Sequence, residues 1–154
     1  MTPLHYTIIT LLTITSLIIY TFVIKKPSPT QTINLKINNQ NFKIELAQSL
    51  SQKSLGLGNR PSLCNNCGML FLYKGEGPLP FWMKNTLIPL DMIWLNKSGT
   101  IVDIQTALPE PNTPDHQLKI YQNEKAAQYV LELNAYKAKE LGLKIGDTIN
   151  LPQN

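Results

Sequence analysis

The residues best placed to do chemistry lie in the stretch Phe81-Trp82-Met83-Lys84-Asn85-Thr86-Leu87-Ile88-Pro89-Leu90-Asp91-Met92-Ile93-Trp94-Leu95. Here Lys84, Asn85 and Asp91 stand among apolar and aromatic side chains. Charges in such company are costly to bury unless they pair, so the stretch encodes either a polar network or a site. Leu90, Met92 and Trp94 share one face of a strand, and Asp91, Ile93 and Leu95 share the other. Both faces are apolar, so Asp91 is expected to be at least half buried and to need donors or a cation. Three readings stand. Asp91 ties down the Pro89 turn through backbone N–H groups or Thr86. Alternatively, Trp82 offers a stacking face while Lys84, Asn85 and Asp91 contact a polar ligand, such as a sugar or an anionic envelope polymer. In the third, Asp91 or Lys84 is an acid or base in an enzyme acting on a carbohydrate. That chemistry needs two carboxylates, and nothing in the sequence places Glu76, Asp103 or Glu132 near Asp91. The structural reading is preferred, with any ligand site on the Trp82–Lys84 edge.

Cys64-Asn65-Asn66-Cys67 is the second constellation. A C-x-x-C pair invites zinc, redox or disulfide readings. A closed zinc site needs four ligands, and the two histidines, His5 and His116, do not complete one, because His5 falls in the apolar N-terminus. Neither a metal nor another cofactor is expected. A redox pair places its first thiol at a helix N-terminus, whereas Cys67 leads into a strand. A local disulfide is expected, with thiol–disulfide exchange as an alternative function. His116 reads as a solvated loop residue. Nucleophile-elbow and phosphate-loop patterns are absent from the sequence.

The elements that must position these groups begin after an apolar run. Residues 4–24 carry no charge apart from that of a protonated His5. About 20 helical residues span a bilayer core, so 4–24 is expected to be an uncleaved transmembrane helix. Residues 25–32, with Pro27 and Pro29, form a linker, and 33–154 one domain. Lys25 and Lys26 argue weakly for a cytoplasmic domain. The net charge of +4 drops by two without them, and Arg60 is the single arginine. This gives no case for a nucleic-acid partner.

Within the domain, Ile33–Ile37 and Phe42–Leu46 alternate with period two about Asn38–Asn41 and read as a hairpin. Ala47–Leu57 reads as a short helix, capped by Ser49 or Ser51 and ended by Gly56 or Gly58. Strands are expected at Met69–Tyr73, Phe81–Lys84, Asp91–Leu95, Thr100–Gln105, Gln128–Leu133 and Thr148–Leu151. Leu108–Glu124 is a long loop, and Asn134 caps a helix over Ala135–Leu141. The expected fold is mostly β, a compact sandwich or barrel of seven or eight short strands with two short helices.

Gly68-Met69-Leu70-Phe71, Phe81 to Thr86 with Ile88-Pro89-Leu90-Asp91, Tyr129 to Ala135 and Leu141 to Asp147 resemble the domain of unknown function 192 family. The resemblance covers nearly all of Ile33–Leu151. It implies an N-terminal signal or anchor and a mostly β domain outside the cytoplasm, and it carries no established activity. The chain has Gly58 where the family usually has Met, and Tyr136 where it usually has Gly. The expected function is a non-catalytic binding or accessory module of the cell envelope. Such a module is single-pass in the cell membrane and extracytoplasmic, with an envelope polymer or protein as partner.

Overall fold

The computed structural model describes residues 30–151. The transmembrane expectation for 4–24 and most of the linker lie outside these residues. Among the described residues no helix is long and apolar enough to cross a membrane.

The chain orders as β1 (Thr32–Ile37), β2 (Gln40–Ala47), α1 (Leu50–Leu55), β3 (Cys67–Gly77), β4 (Leu90–Leu95), β5 (Ile101–Ala107), a 3-10 turn (Asp115–Gln117), β6 (Ala127–Asn134) and α2 (Lys137–Glu140). The strands form one mixed sheet in the order β1-β2-β3-β6-β4-β5. The pair β2–β3 is parallel and the other neighbours are antiparallel. The parallel pair requires a crossover rather than a tight turn; α1 and the Cys64–Cys67 loop supply it.

The sheet is open and has six strands, which corrects the sandwich or barrel of seven or eight. Phe81–Lys84 contributes only a bridge from Phe81 to Tyr121, and the C-terminal segment only one from Thr148 to Thr100. Pro78 and Pro80 remove the donors just before this segment, so no ladder leads into it, and Asn85 turns it away at φ 55°. The C-terminal segment instead brackets the β4–β5 turn, where Ile149 donates to the Gly99 carbonyl at 2.9 Å. A Cβ on Gly99 would lie 2.3 Å from the Ile149 carbonyl oxygen, so this approach requires glycine.

Period-two alternation divides the apolar residues between the two faces. One face carries Ile44, Leu70, Ile93, Leu131 and Leu133, covered by Ala138, Leu141, Leu143 and Ile149. The other carries Met69, Phe71, Met92, Trp94 and Val130, covered by Leu57, Phe81, Met83, Ile88 and Tyr121. All six residues of β4 are buried. Phe81 stands edge-on to Phe71 at 4.8 Å and to Trp94 at 6.1 Å.

The first helix follows its sequence signals. Ser49 and Gln52 form a reciprocal capping box, and Gly56 at φ 51° ends the helix. The second does not. Asn134 donates its side-chain amide to the Leu63 and Cys64 carbonyls instead of capping. Tyr136 opens α2 at φ 66°, a conformation that favours glycine, and this is the position at which the resembled family usually has it.

The missing cap comes from another strand. Asp91 is 1% exposed. Its Oδ2 accepts from the Ala138 N–H at 2.8 Å, in the first turn of α2, and its Oδ1 accepts from the Thr106 hydroxyl at 2.7 Å. Asp91 thus ties β4, β5 and α2 together. Its partners are not the Pro89 turn or Thr86, because the side chain points to the opposite face. Asp91→Ala leaves both donors unmatched and is expected to lower unfolding stability by about 1–3 kcal/mol. Chemical denaturation with an unchanged m-value checks this.

Candidate functional site

On the face away from Asp91, β6 carries a second acidic residue between apolar neighbours. Glu132 pairs in register with Met69 of β3 and Met92 of β4. Its side chain is therefore flanked by thioethers on both sides, in the middle of the sheet. The residue is 4% exposed, and among the described residues its carboxyl accepts no side-chain or backbone hydrogen bond. It opens instead into a cleft of about 70 Å³.

Three elements wall this cleft. α1 and its C-terminal turn supply Lys53, Leu55 and Leu57, β3 supplies Phe71 and Tyr73, and the 80–86 segment supplies Phe81, Trp82, Lys84 and Thr86. The capping box and Gly56 fix where α1 ends, and a Cβ on Gly56 would crowd the Phe71 ring at 3.3 Å. Asn59 and Asn85, both at positive φ, join the two loops through the 2.7 Å bond from Asn59 N–H to the Asn85 carbonyl.

Trp82 is 45% exposed and Leu55 is 50% exposed, so the rim is apolar and open. The Lys84 ammonium lies 5.8 Å from the Trp82 ring centre and 2.5 Å from Asp115 in the long loop. The Lys53 ammonium sits 4.1 Å from the Tyr73 ring centre, within cation–π range.

Burial pushes the Glu132 carboxyl up to about 8, against the pull of the Arg60 guanidinium. At neutral pH it is an uncharged acid, able to donate one hydrogen bond and accept others. Burial, with the nearby Glu132, raises the Tyr73 phenol. Burial, with the nearby Lys74, lowers Lys53. Arg60 is committed to Glu45 by two bonds of 2.5 and 2.8 Å, which hold Glu45 below the ordinary carboxylate range.

Of the sequence candidates, the fold brings Trp82 and Lys84 together at this cleft. Asn85 serves its wall through its backbone, and Asp91 lies on the other face. Asp91 is thus separated from Trp82 and Lys84 by the sheet, and Glu132 is the carboxylate that lines the cleft beside them. Glu132 carries the same signal that singled out Asp91, a carboxylate between apolar neighbours in an apolar strand. Tyr73 and Lys53 carry none.

Cys64 and Cys67 are joined in a disulfide with Cα atoms 5.1 Å apart. The bond lies outside the cleft, at the start of β3. Its loop is held by the Asn134 amide and by the Lys137 ammonium, which donates to Asn65 Oδ1 at 2.7 Å. His116 is exposed in the 3-10 turn. Among the described residues no group of acidic, histidine or cysteine side chains could hold a metal.

The model of the DUF192 family, described as an uncharacterized ACR, matches residues 33–151. No curated protein matches the chain. A solved structure from Sinorhizobium meliloti 1021, described as a candidate transcription regulator, is 32% identical. The match covers 81% of this chain and 97% of that one, with a TM-score of 0.70. A protein of unknown function from Novosphingobium aromaticivorans DSM 12444 is 29% identical, over 80% and 88% of the two chains, with a TM-score of 0.71.

The raised Glu132 pKa makes stability depend on pH. The folded protein holds this proton up to about pH 8, whereas an unperturbed Glu releases it near 4.5. Between those values the unfolded state binds fewer protons, so stability falls as pH rises, and above 8 the loss is complete. Glu132→Gln removes the titration. Its stability relative to the parent is expected to rise between pH 5 and pH 8 by on the order of 3 kcal/mol and then level off. Denaturant unfolding of both proteins across that range measures the difference.

Proposed function

The chain belongs to the domain of unknown function 192 family, and on that premise we propose that its domain is a membrane-anchored, extracytoplasmic binding module of the cell envelope. It takes a small polar group of a larger ligand into the Glu132 cleft without transforming it. The observation that carries this reading is the Glu132 carboxyl, almost fully buried and with no hydrogen-bond partner among the described residues, at an opening rimmed by exposed Trp82 and Leu55. Buried polar groups are ordinarily satisfied, so an unmatched one facing a cleft suits a ligand. A sugar ring or peptide that carries this group would rest on the exposed Trp82 ring.

Export is supported by the Cys64–Cys67 disulfide, since such bonds persist in oxidising compartments. Lys25 and Lys26 pull the other way. The anchor is the apolar run at 4–24, which holds no Lys, Arg, Asp or Glu.

The reading as a carbohydrate-processing enzyme has less support. The cleft is lined by one carboxylate, Glu132, where that chemistry needs two, and Asp91 is engaged on the opposite face. The thiol–disulfide reading lacks the helix N-terminus that lowers a thiol pKa. The regulator description of the Sinorhizobium protein does not carry over, because basic residues do not cluster in this sequence.

Titration of the full chain in detergent with envelope polysaccharides and peptidoglycan fragments is expected to give binding that Trp82→Ala weakens at least about tenfold. Asp91→Asn should leave affinity unchanged per folded molecule. Equal affinity in the parent and Trp82→Ala would sink the cleft as the site. For topology, a cysteine placed at exposed Ser98 should react with a membrane-impermeant maleimide in intact cells. Reaction only after permeabilisation would put the domain in the cytoplasm.

A further inference from the structure

We propose that the group held in the cleft is a carboxylate, gripped by the carboxyl of Glu132 and the ammonium groups of Lys53 and Lys84, which line the same opening. This rests on the binding reading above and names its ligand chemistry.

The charge arrangement selects an anion. Two lysines line the cleft, and its one acid is buried and uncharged at neutral pH. Lys84 is paired with Asp115, whose side chain is 65% exposed, a surface pairing that a ligand can displace at small cost. Arg60 is already engaged by Glu45 through two bonds. A neutral hydroxyl would bring no negative charge to either ammonium group.

One acid O–H and two ammonium groups line the same cleft, and the two oxygens of a carboxylate can accept from all three. The acid–carboxylate contact is an O–H···O⁻ bond, short and about twice as strong as a neutral one. Glu132 keeps its proton throughout, so no covalent bond forms or breaks. The aromatic rim at Trp82 then carries the body of the ligand.

The same contact makes binding depend on pH. The titratable groups that share the cleft with Glu132 are Lys53 from α1, Tyr73 from β3 and Lys84 from the 80–86 segment, with Arg60 of the α1–β3 connection close enough to act on its charge. The β4 neighbour is Met92, which does not titrate. Loss of the Glu132 proton above about 8 sets two carboxylates against each other. Affinity is full below that value and falls above it. Any loss of Lys53 charge at high pH would weaken binding in both the parent and Glu132→Gln, so the difference between them isolates Glu132.

Isothermal titration calorimetry on the full chain in detergent tests this with four probes: trigalacturonate, neutral galactotriose, acetyl-D-alanyl-D-alanine and its C-terminal amide. The expected result is binding of at least one carboxylate and of neither neutral partner. Which carboxylate binds says whether the source is a uronate or a peptide terminus. From pH 7 to pH 9 the parent should lose about tenfold more affinity than Glu132→Gln. Lys84→Gln should weaken carboxylate binding in a protein whose fold circular dichroism shows intact. Binding of the neutral probes alone would overturn the carboxylate while leaving the binding module standing. So would polymer binding in the envelope screen with silence from all four probes. Identical pH profiles for the parent and Glu132→Gln would overturn the role given to Glu132.

Discussion

The three central strands β3, β6 and β4 are covered on both faces, and a strand so placed has no solvent side on which to put a polar residue. Every side chain there must be apolar or find a partner inside the protein. Two carboxylates nevertheless sit in this layer, on adjacent strands and opposite faces. Asp91 meets the constraint internally, with the Thr106 hydroxyl and the Ala138 N–H as donors. Glu132 meets it by staying protonated and opening onto a cleft. One carboxylate became a structural tie and the other a candidate site because of what the neighbouring elements offered each.

Around that rigid layer the remaining chain divides its work. The α2 region and the C-terminal segment seal the face that holds Asp91. The 57–63 connection, the 78–89 segment and the loop through Tyr121 cover the other, but incompletely, and the gap beside Trp82 and α1 is the cleft. A site with its acid on a central strand and its rim on loops has a fixed floor and adjustable walls. The short α1 contributes no buried residue of its own. Its role is to place Lys53 and Leu55 at the mouth, and its termini are held by the Ser49–Gln52 box and Gly56.

Much of the sheet was legible in the residues. The β1–β2 hairpin, the β4–β5 hairpin and the strands at β3 and β6 follow from period-two alternation or continuous apolar runs bounded by turn residues, and α1 from its cap. The failures have physical causes. Phe81–Lys84 looks like a strand by composition, but its flanking prolines and left-handed Asn85 leave it one bridge. Thr148–Leu151 alternates correctly yet spends its hydrogen bonds on the β4–β5 turn. With both removed, too few strands remain to close a barrel or form a second sheet. Asn134 has the right type and position for a helix cap, but the Leu63 and Cys64 carbonyls compete for its amide and win.

By itself, the sequence determined which residues alternate, where turns and caps fall, and that a carboxylate in each of two apolar strands must be matched or neutralised. These are properties of neighbours along the chain, set by backbone geometry and desolvation. Only the tertiary structure decided that Asp91 is matched by α2 and that Glu132, not Asp91, joins Trp82 and Lys84. Strand order and register bring those groups together from separate segments, and a period-two pattern states that two faces exist without stating what will cover either one.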